Sequence, residues 1–463
     1  MSVIRELQAD ILICGAGIAG IATAYELAVV HGLRDVVVVD PRPPLSLTSD
    51  KSSECYRTWW PAGPDGAMIG LMRRSYERLS TWAAASDNRF AMNQRGYLYL
   101  THDPAQVARW QQDATESTQY GAGSLRIHTA RGDAYRPAPP QGIDPSLDGA
   151  DLLWGDALHR HFSYLDRALA AGLHVRQAGW LSAQQLGMWL WEQARASGVR
   201  LLRGQLVAIE QRGGAVRAAQ IALEGGAVPQ RIATPRLVIA AGPMAAELAA
   251  TAGLSLPIYN ELHAKVAISD AQGIVPRHAP LLISDEAVHL PWSDEERALL
   301  REEPALRGLL ERFPAGAHLR PDGGASSQTV LMLWPYHAER VDPPRFPPDF
   351  SAVEPEIILR GLATLLPTLL RYTERLPKPV IDGGYYSRTA ENRPLIGPLS
   401  VDGLYIVGAL SGYGIMAAPA AAELFALQLQ GLPLPSYAAA FAPQRYAEPS
   451  YAARMAAWGD GQL

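Results

Sequence analysis

The sequence predicts an α/β protein: a Rossmann-like domain assembled from three separated segments, with a second, mixed-sheet domain filling the gaps between them. Three observations predict it. Residues 10–40 read as strand, glycine turn, helix and strand; residues 404–425 repeat strand, glycine-rich turn and helix; and residues 237–242 read as a buried strand, LVIAAG in sequence with its preceding arginine. Together they place the nucleotide-binding segments at 1–92, 174–256 and 380–463. The intervening 93–173 and 257–379, with more proline and with strand-like runs such as GYLYLT and TVLMLW, form the second domain.

The first segment runs DILICGAGIAGIATAYELAVVHGLRDVVVVD. Ile11 to Cys14 is a short apolar strand, Gly15 to Gly20 a G-x-G-x-x-G turn, Ile21 to Val30 a helix, and Val36 to Val39 a second buried strand ending in Asp40. Gly15 makes the tight turn, Gly17 lets the backbone approach a pyrophosphate, and Gly20 lets helix and strand pack closely. The helix N-terminus offers free N–H groups and a favourable dipole to that pyrophosphate. Asp40 is placed to accept from ribose hydroxyls. This pattern fits NAD and FAD equally.

The other segments narrow the choice. Residues 187–242 run from an amphipathic helix (GMWLWEQARASG) through VRLLRGQLVAIEQ to the strand ending in Ala241-Gly242. At the far end, Leu404 to Val407 is a strand, Gly408 to Gly414 a glycine-rich turn, and Ile415 onward a helix of small residues. An NAD-only dehydrogenase has little need of this last unit. A flavin does, because a helix N-terminus stabilises the negative charge of its reduced ring.

The bulk of the chain excludes several classes. Its 463 residues exceed one ordinary core and favour two domains, and 48% apolar with 19% charged residues is a globular composition. A net charge of −5 leaves no basic footprint for nucleic acid. Two cysteines, Cys14 and Cys55, provide neither a disulfide framework nor a zinc site, and a reducing, cytoplasmic setting is expected. Residues 11–30 are apolar, but no basic region precedes them and Tyr25, Glu26 and three glycines interrupt the run, so no membrane segment is expected. Lysine occurs at 51, 265 and 378 alone.

The order GAGIAG, LVIAAG, GGYYSRTAENRPLIGP (383–398) and VGALSGYGIMAAP (407–419) resembles the D-amino-acid-oxidase-like (DAO) superfamily of FAD enzymes, with sarcosine oxidase, glycine oxidase and dimethylglycine dehydrogenase as relatives. The resemblance implies a glutathione-reductase-type FAD fold. It also implies oxidation of a C–N bond in an amino acid or a secondary or N-substituted amine, by hydride transfer to flavin N5, with the imine then hydrolysed. FAD contacts carry over to Gly15, Gly17, Ile18, Ala19, Gly20, Asp40, Pro41 and Arg42 in the first segment. Ser53, Arg57, Val207, Ala241 and Gly242 follow, and then Gly408, Ser411, Gly412, Tyr413, Gly414, Ile415 and Met416 at the second glycine turn.

The stretch SSECYRTWWPAG (52–63) lies beneath the flavin in this family. Some relatives attach the ring through a histidine where this chain has Trp60, others through a cysteine where it has Gly384; non-covalent FAD is therefore expected, with Cys55 an inert buried thiol. Arg57 matches an arginine that relatives keep against the ring, and the alternative for it is a surface salt bridge. Trp59 and Trp60 are expected to wall the cavity.

Substrate residues depart from the relatives. The arginine and lysine that hold the carboxylate in sarcosine oxidases align with Trp60 and Met416, and the arginine of glycine oxidase aligns with Tyr386. Arg388 is on the same face; it either replaces that clamp or pairs with Glu391. A more aromatic, less cationic pocket implies a bulky or apolar substrate. In VLMLWPYH (330–337), Tyr336 and His337 match a Tyr-His pair, while the oxygen-activating lysine falls on Met332 or Leu333. His337 is either an active-site residue or a satisfied histidine at a strand end. Oxygen or another electron-transfer acceptor takes the electrons. Residues 292–313 carry a capping box, Ser293 to Glu296, and read as a packed helical insertion in preference to a lid. The rival readings are a non-catalytic flavoprotein assembly factor of this same fold and, less favoured, an NAD(P)-dependent dehydrogenase.

Overall fold

The computed structural model describes residues 7–61, 63–129, 134–337 and 339–456. Its framework is two sheets. The first has nine strands, with Arg200–Arg212, Val36–Asp40, Ile11–Cys14, Leu237–Ile239 and Leu404–Gly408 side by side in its centre. Those five are parallel where they pair. Ile11–Cys14, Val36–Val39 and Leu237–Ile239 are buried on both faces and read as unbroken apolar runs instead of alternating ones. Ile11–Cys14 has Val36–Asp40 on one side and Leu237–Ile239 on the other. The connections therefore leave in opposite directions at its carboxyl end, which opens a crevice there.

The second sheet has ten strands of mixed direction. Tyr97–Thr101 runs parallel to Leu281–Ser284 and antiparallel to Ala171–Val175. Val380–Arg388, expected from the sequence with the third nucleotide-binding segment, pairs along its whole length with Tyr259–Ser269 in this second sheet. The chain then returns to the first sheet through Leu395–Pro398 and Leu404–Gly408, which leads into the glycine turn at 411–414.

One local reading differs from the structure. The first helix begins earlier than expected, spanning Ile18–Tyr25, and its last turn, Glu26–Val30, is a π-helix. Glu26 in that turn is buried and ion-paired with Arg78. The Ser293/Glu296 capping box forms as read, opening a helix over Asp294–Glu302. Glu296 then binds Arg360, whose guanidinium lies 3.9 Å from the Trp292 ring centroid, so the insertion is fastened to the Glu354–Ala363 helix.

Buried titrating groups give the fold a defined pH response. Burial lowers His174 from 6.5 to about 3 and His318 to about 4, so both rings are neutral in the native protein. Below about 6.5 the unfolded chain binds these protons and the native one does not, which costs roughly 1.4 kcal/mol per pH unit per histidine. Glu26, raised by burial from 4.5 to about 7, works the opposite way. His174 and His318 are expected to pull the denaturant midpoint down between about pH 6.5 and pH 5, with Glu26 offsetting part of that fall. A flat profile would contradict this assignment.

Candidate functional site

The crevice at the carboxyl ends of the parallel strands opens into a cavity of about 580 Å³. Gly15, Gly17, Ile18 and Ala19 line it from the first turn, and Asp40, Pro41 and Arg42 from the end of the next strand. Ala241 and Gly242 line it from the third strand, and Gly408, Ser411 and Gly414 from the last. A Cβ at Gly15 would lie 2.3 Å from the Ala240 carbonyl oxygen, and the residue has φ +117°, so this turn accepts nothing larger than glycine. Asp40 is held rigidly: its two oxygens accept from the backbone N–H of Ala16 at 2.8 Å and of Arg42 at 2.7 Å. Each oxygen keeps a further lone pair for a hydroxyl donor.

Several residues of this cavity carried no sequence signal. Ser49 Oγ accepts from the Ile18 N–H at 3.0 Å, at the first turn of the helix. The segment Pro344–Phe346 closes one rim, with Arg42 4.9 Å from the Phe346 ring centroid. The Tyr385 hydroxyl holds that segment by donating to the Arg345 carbonyl at 2.7 Å and accepting from its N–H at 2.8 Å. Val207, expected to line the cofactor site, is 41% exposed; Leu206, 5% exposed, lines it instead. A register shift between Leu206 and Ala208 accounts for the change of face. Gly20 and Ile415 line neither cavity. Gly20 is a packing residue whose Cβ would meet the Gly15 carbonyl at 1.9 Å, and Ile415 is buried in the core.

The turn at 411–416 also borders a second, smaller cavity of about 50 Å³. Ser53, Cys55, Arg57 and Trp60 line it from the 52–63 stretch, with Tyr386, Gly412, Tyr413 and Met416 opposite. Gly412 is required by the approach of Tyr386, whose ring would sit 2.3 Å from a Cβ there. Arg57 is buried, donates from Nη1 to the Tyr99 hydroxyl, and lies 4.2 Å from the Trp60 ring centroid. Trp60 meets the edge of Tyr413 at 5.1 Å. Trp59 does not reach the cavity and packs against Tyr99 at 6.0 Å, so one indole walls the site and not two.

The mixed sheet supplies residues that sequence reasoning missed: Tyr97, His263, His318 and Leu333. Leu333 faces the cavity, while Met332 is buried in the core against the second sheet. His337 is exposed, lies 4.3 Å from the Tyr336 ring, and lines neither cavity. Replacing it, His337→Ala, is expected to change turnover by less than about twofold. Arg388 is also outside both cavities; it pairs with Glu261 at 3.0 Å. Glu391 is bound instead by Arg445 at 2.9 Å. Burial pushes the Cys14 thiol up to about 12 and raises that of Cys55, so both stay protonated at neutral pH. A Cβ at Gly384 would already be 3.2 Å from Thr48.

These residues fit FAD. A glycine turn that admits no side chain, two helix N-termini and a fixed carboxylate suit its ribose and pyrophosphate. The smaller cavity beside the second turn leaves the Trp60 indole N–H buried without a hydrogen-bond partner, which suits an acceptor on a second molecule next to the cofactor. Among the described residues no group of three or more acidic, histidine or cysteine side chains is arranged to hold a metal ion. No helix among them is long and apolar enough to cross a membrane.

Known structures share the fold. The L-proline dehydrogenase from P. horikoshii superposes with a TM-score of 0.71 at 18% identity, over 96% of this chain and 98% of that one. Glycine oxidase from Geobacillus kaustophilus gives 0.68 at 18% identity, over 92% and 96%. L-amino acid deaminase from Proteus vulgaris gives 0.68 at 17% identity, over 96% and 99%. Among curated proteins nothing matches. The model of the DAO family, FAD-dependent oxidoreductases, matches residues 10–428. With that match spanning most of the chain and the glycine cradle built to receive the cofactor, this protein belongs to the DAO family of FAD-dependent oxidoreductases.

Proposed function

We propose that the chain oxidises the C–N bond of an amino acid or a secondary amine bearing an apolar substituent, using non-covalently bound FAD. The observation that carries this reading is the smaller cavity: Arg57 is its one arginine or lysine among the described residues, and aromatic and aliphatic side chains form most of the rest. FAD supplies the two-electron acceptor for the α C–H hydride. The protein's own residues orient and enclose the amine. Arg57, with Trp60 and Tyr97, holds an acceptor group of the substrate, while Trp60, Leu333, Tyr386, Tyr413 and Met416 exclude water. The names of the structural neighbours, a proline dehydrogenase, a glycine oxidase and an amino acid deaminase, support the same class of chemistry.

The five segments 1–92, 93–173, 174–256, 257–379 and 380–463 form two interleaved domains in this reading, with catalysis where they meet. Gly384 and the protonated Cys55 support non-covalent attachment. Leu333 in place of a cavity lysine supports an electron acceptor other than oxygen.

Turnover with cyclic secondary, N-methyl and large apolar amino acids should release the carbonyl compound formed by imine hydrolysis, detected by hydrazone formation. Arg57→Met is expected to lower kcat/KM by about 10–100-fold while FAD is retained. Absence of a carbonyl product with every amine would contradict the proposal and favour a non-catalytic flavoprotein.

A further inference from the structure

The smaller cavity offers both donors and acceptors. Its donors are the Trp60 indole N–H, buried without a hydrogen-bond partner, and the Arg57 guanidinium from the 52–63 stretch, with the Tyr97 hydroxyl from the mixed sheet. Indole and guanidinium groups have no acceptor to offer. On the side of the mixed sheet stand His263 and His318.

Each histidine is fixed in one tautomer by a partner that can only accept. His318 Nδ1 lies 2.8 Å from the Gly316 carbonyl oxygen, so Nδ1 carries the proton and Nε2 the lone pair. His263 Nε2 lies 3.4 Å from the Glu261 carboxylate, so Nε2 donates and Nδ1 carries the lone pair. Glu261 is itself anchored by Arg388 at 3.0 Å. Strand register explains the arrangement. His263 is opposite Gly384 and Glu261 is opposite Tyr386. With no side chain at Gly384, the His263 ring lies flat on Tyr386, centroids 3.8 Å apart and planes 15° from parallel.

We propose that His263 and His318 are the amine-recognition residues of the cavity: their lone pairs accept the N–H of the substrate's amino group, while Arg57, Trp60 and Tyr97 hold an acceptor group at its other end. This rests on the amine-oxidising reading above and narrows it. The substrate keeps at least one N–H in its neutral form, so primary and secondary amines enter and tertiary amines are refused.

The charged and titratable groups around His263 are Glu261 on its own strand, Tyr386 and Arg388 on the paired strand, His318 from the neighbouring strands and His337 beyond the Thr329–Leu333 strand. Burial outweighs Glu261 and lowers His263, and it holds His318 at about 4. Both rings thus remain neutral acceptors at neutral pH.

The test uses two isosteric probes on the FAD-loaded protein, pyrrole-2-carboxylate and 2-furoate, which differ in a ring N–H against a ring oxygen. Binding is read from the perturbed flavin absorbance. Pyrrole-2-carboxylate is expected to bind about tenfold more tightly. His263→Phe and His318→Phe are each expected to bring that ratio toward one with 2-furoate affinity unchanged, and His318→Gln, which keeps an acceptor, to retain part of it. Equal affinities in the unmodified protein, failure of both probes at millimolar concentration, or an unchanged ratio in both phenylalanine variants would overturn the proposal. The comparison in the unmodified protein needs no variant to fold. It needs no turnover either, so a flavin that no amine reduces would overturn the amine-oxidation reading while leaving the probe ratio to decide this one.

Discussion

Gly15→Ala is expected to yield a protein that purifies colourless. The added Cβ would lie 2.3 Å from the Ala240 carbonyl oxygen and 2.7 Å from its carbon, backbone atoms that no rotamer can move. The residue's φ of +117° is also one that L side chains avoid, at a cost of about 1–3 kcal/mol. Relief requires the turn to separate from the Leu237–Ile239 strand end, where it borders the cavity that would hold FAD. A control separates strain from steric loss. Gly213, at the tip of the hairpin between Arg200–Arg212 and Ala215–Leu223, has φ +63° and open space around it. Gly213→Ala should cost about 1 kcal/mol and leave the protein yellow. The ratio of flavin to protein absorbance checks both, and full flavin content in Gly15→Ala would contradict the cradle described here.

Arg320→Met is expected to lower stability by about 3 kcal/mol and to loosen FAD as well. Arg320 is fully buried, and its guanidinium reaches several groups at once. Nε donates to the Ser53 carbonyl at 3.0 Å, Nη2 to Glu54 at 3.0 Å and Nη1 to Asp322 at 2.6 Å. Removing the cation leaves two carboxylates without their partner, one of them on the stretch that carries Cys55 and Arg57. Burial already raises Glu54, so without Arg320 its charged form is disfavoured further. Denaturant unfolding of the FAD-loaded protein measures the stability change, and flavin release at fixed denaturant measures the loosening. A change in neither would show that the 52–63 stretch is held by other means.

The sequence made local structure legible and long-range structure only through resemblance. The βαβ unit at 11–40 could be read because its strand, glycine turn and helix are contiguous and its chemistry is backbone chemistry. Ser49 and Phe346 could not, since nothing in their spacing links them to Gly17 or Arg42; only folding does. Val207 was misplaced because a bulge breaks the alternation of strand faces. His337 stays outside both cavities for a related reason. Period-two alternation holds from Thr329 to Leu333, but the strand ends there and the chain turns at Pro335, carrying His337 outward. The histidines that do face the cavity, His263 and His318, come from strands with no motif of their own. Arg388 had two candidate roles and took neither, because its partner Glu261 is 127 residues away in sequence.

The most direct test is anaerobic addition of cyclic secondary, N-methyl and large apolar amino acids to the purified protein, followed at the visible flavin band. The expected result is a yellow protein whose band bleaches with one of these classes and recovers when an electron acceptor is supplied. A protein that takes up no FAD, or a yellow one that no amine bleaches while dithionite does, would contradict it.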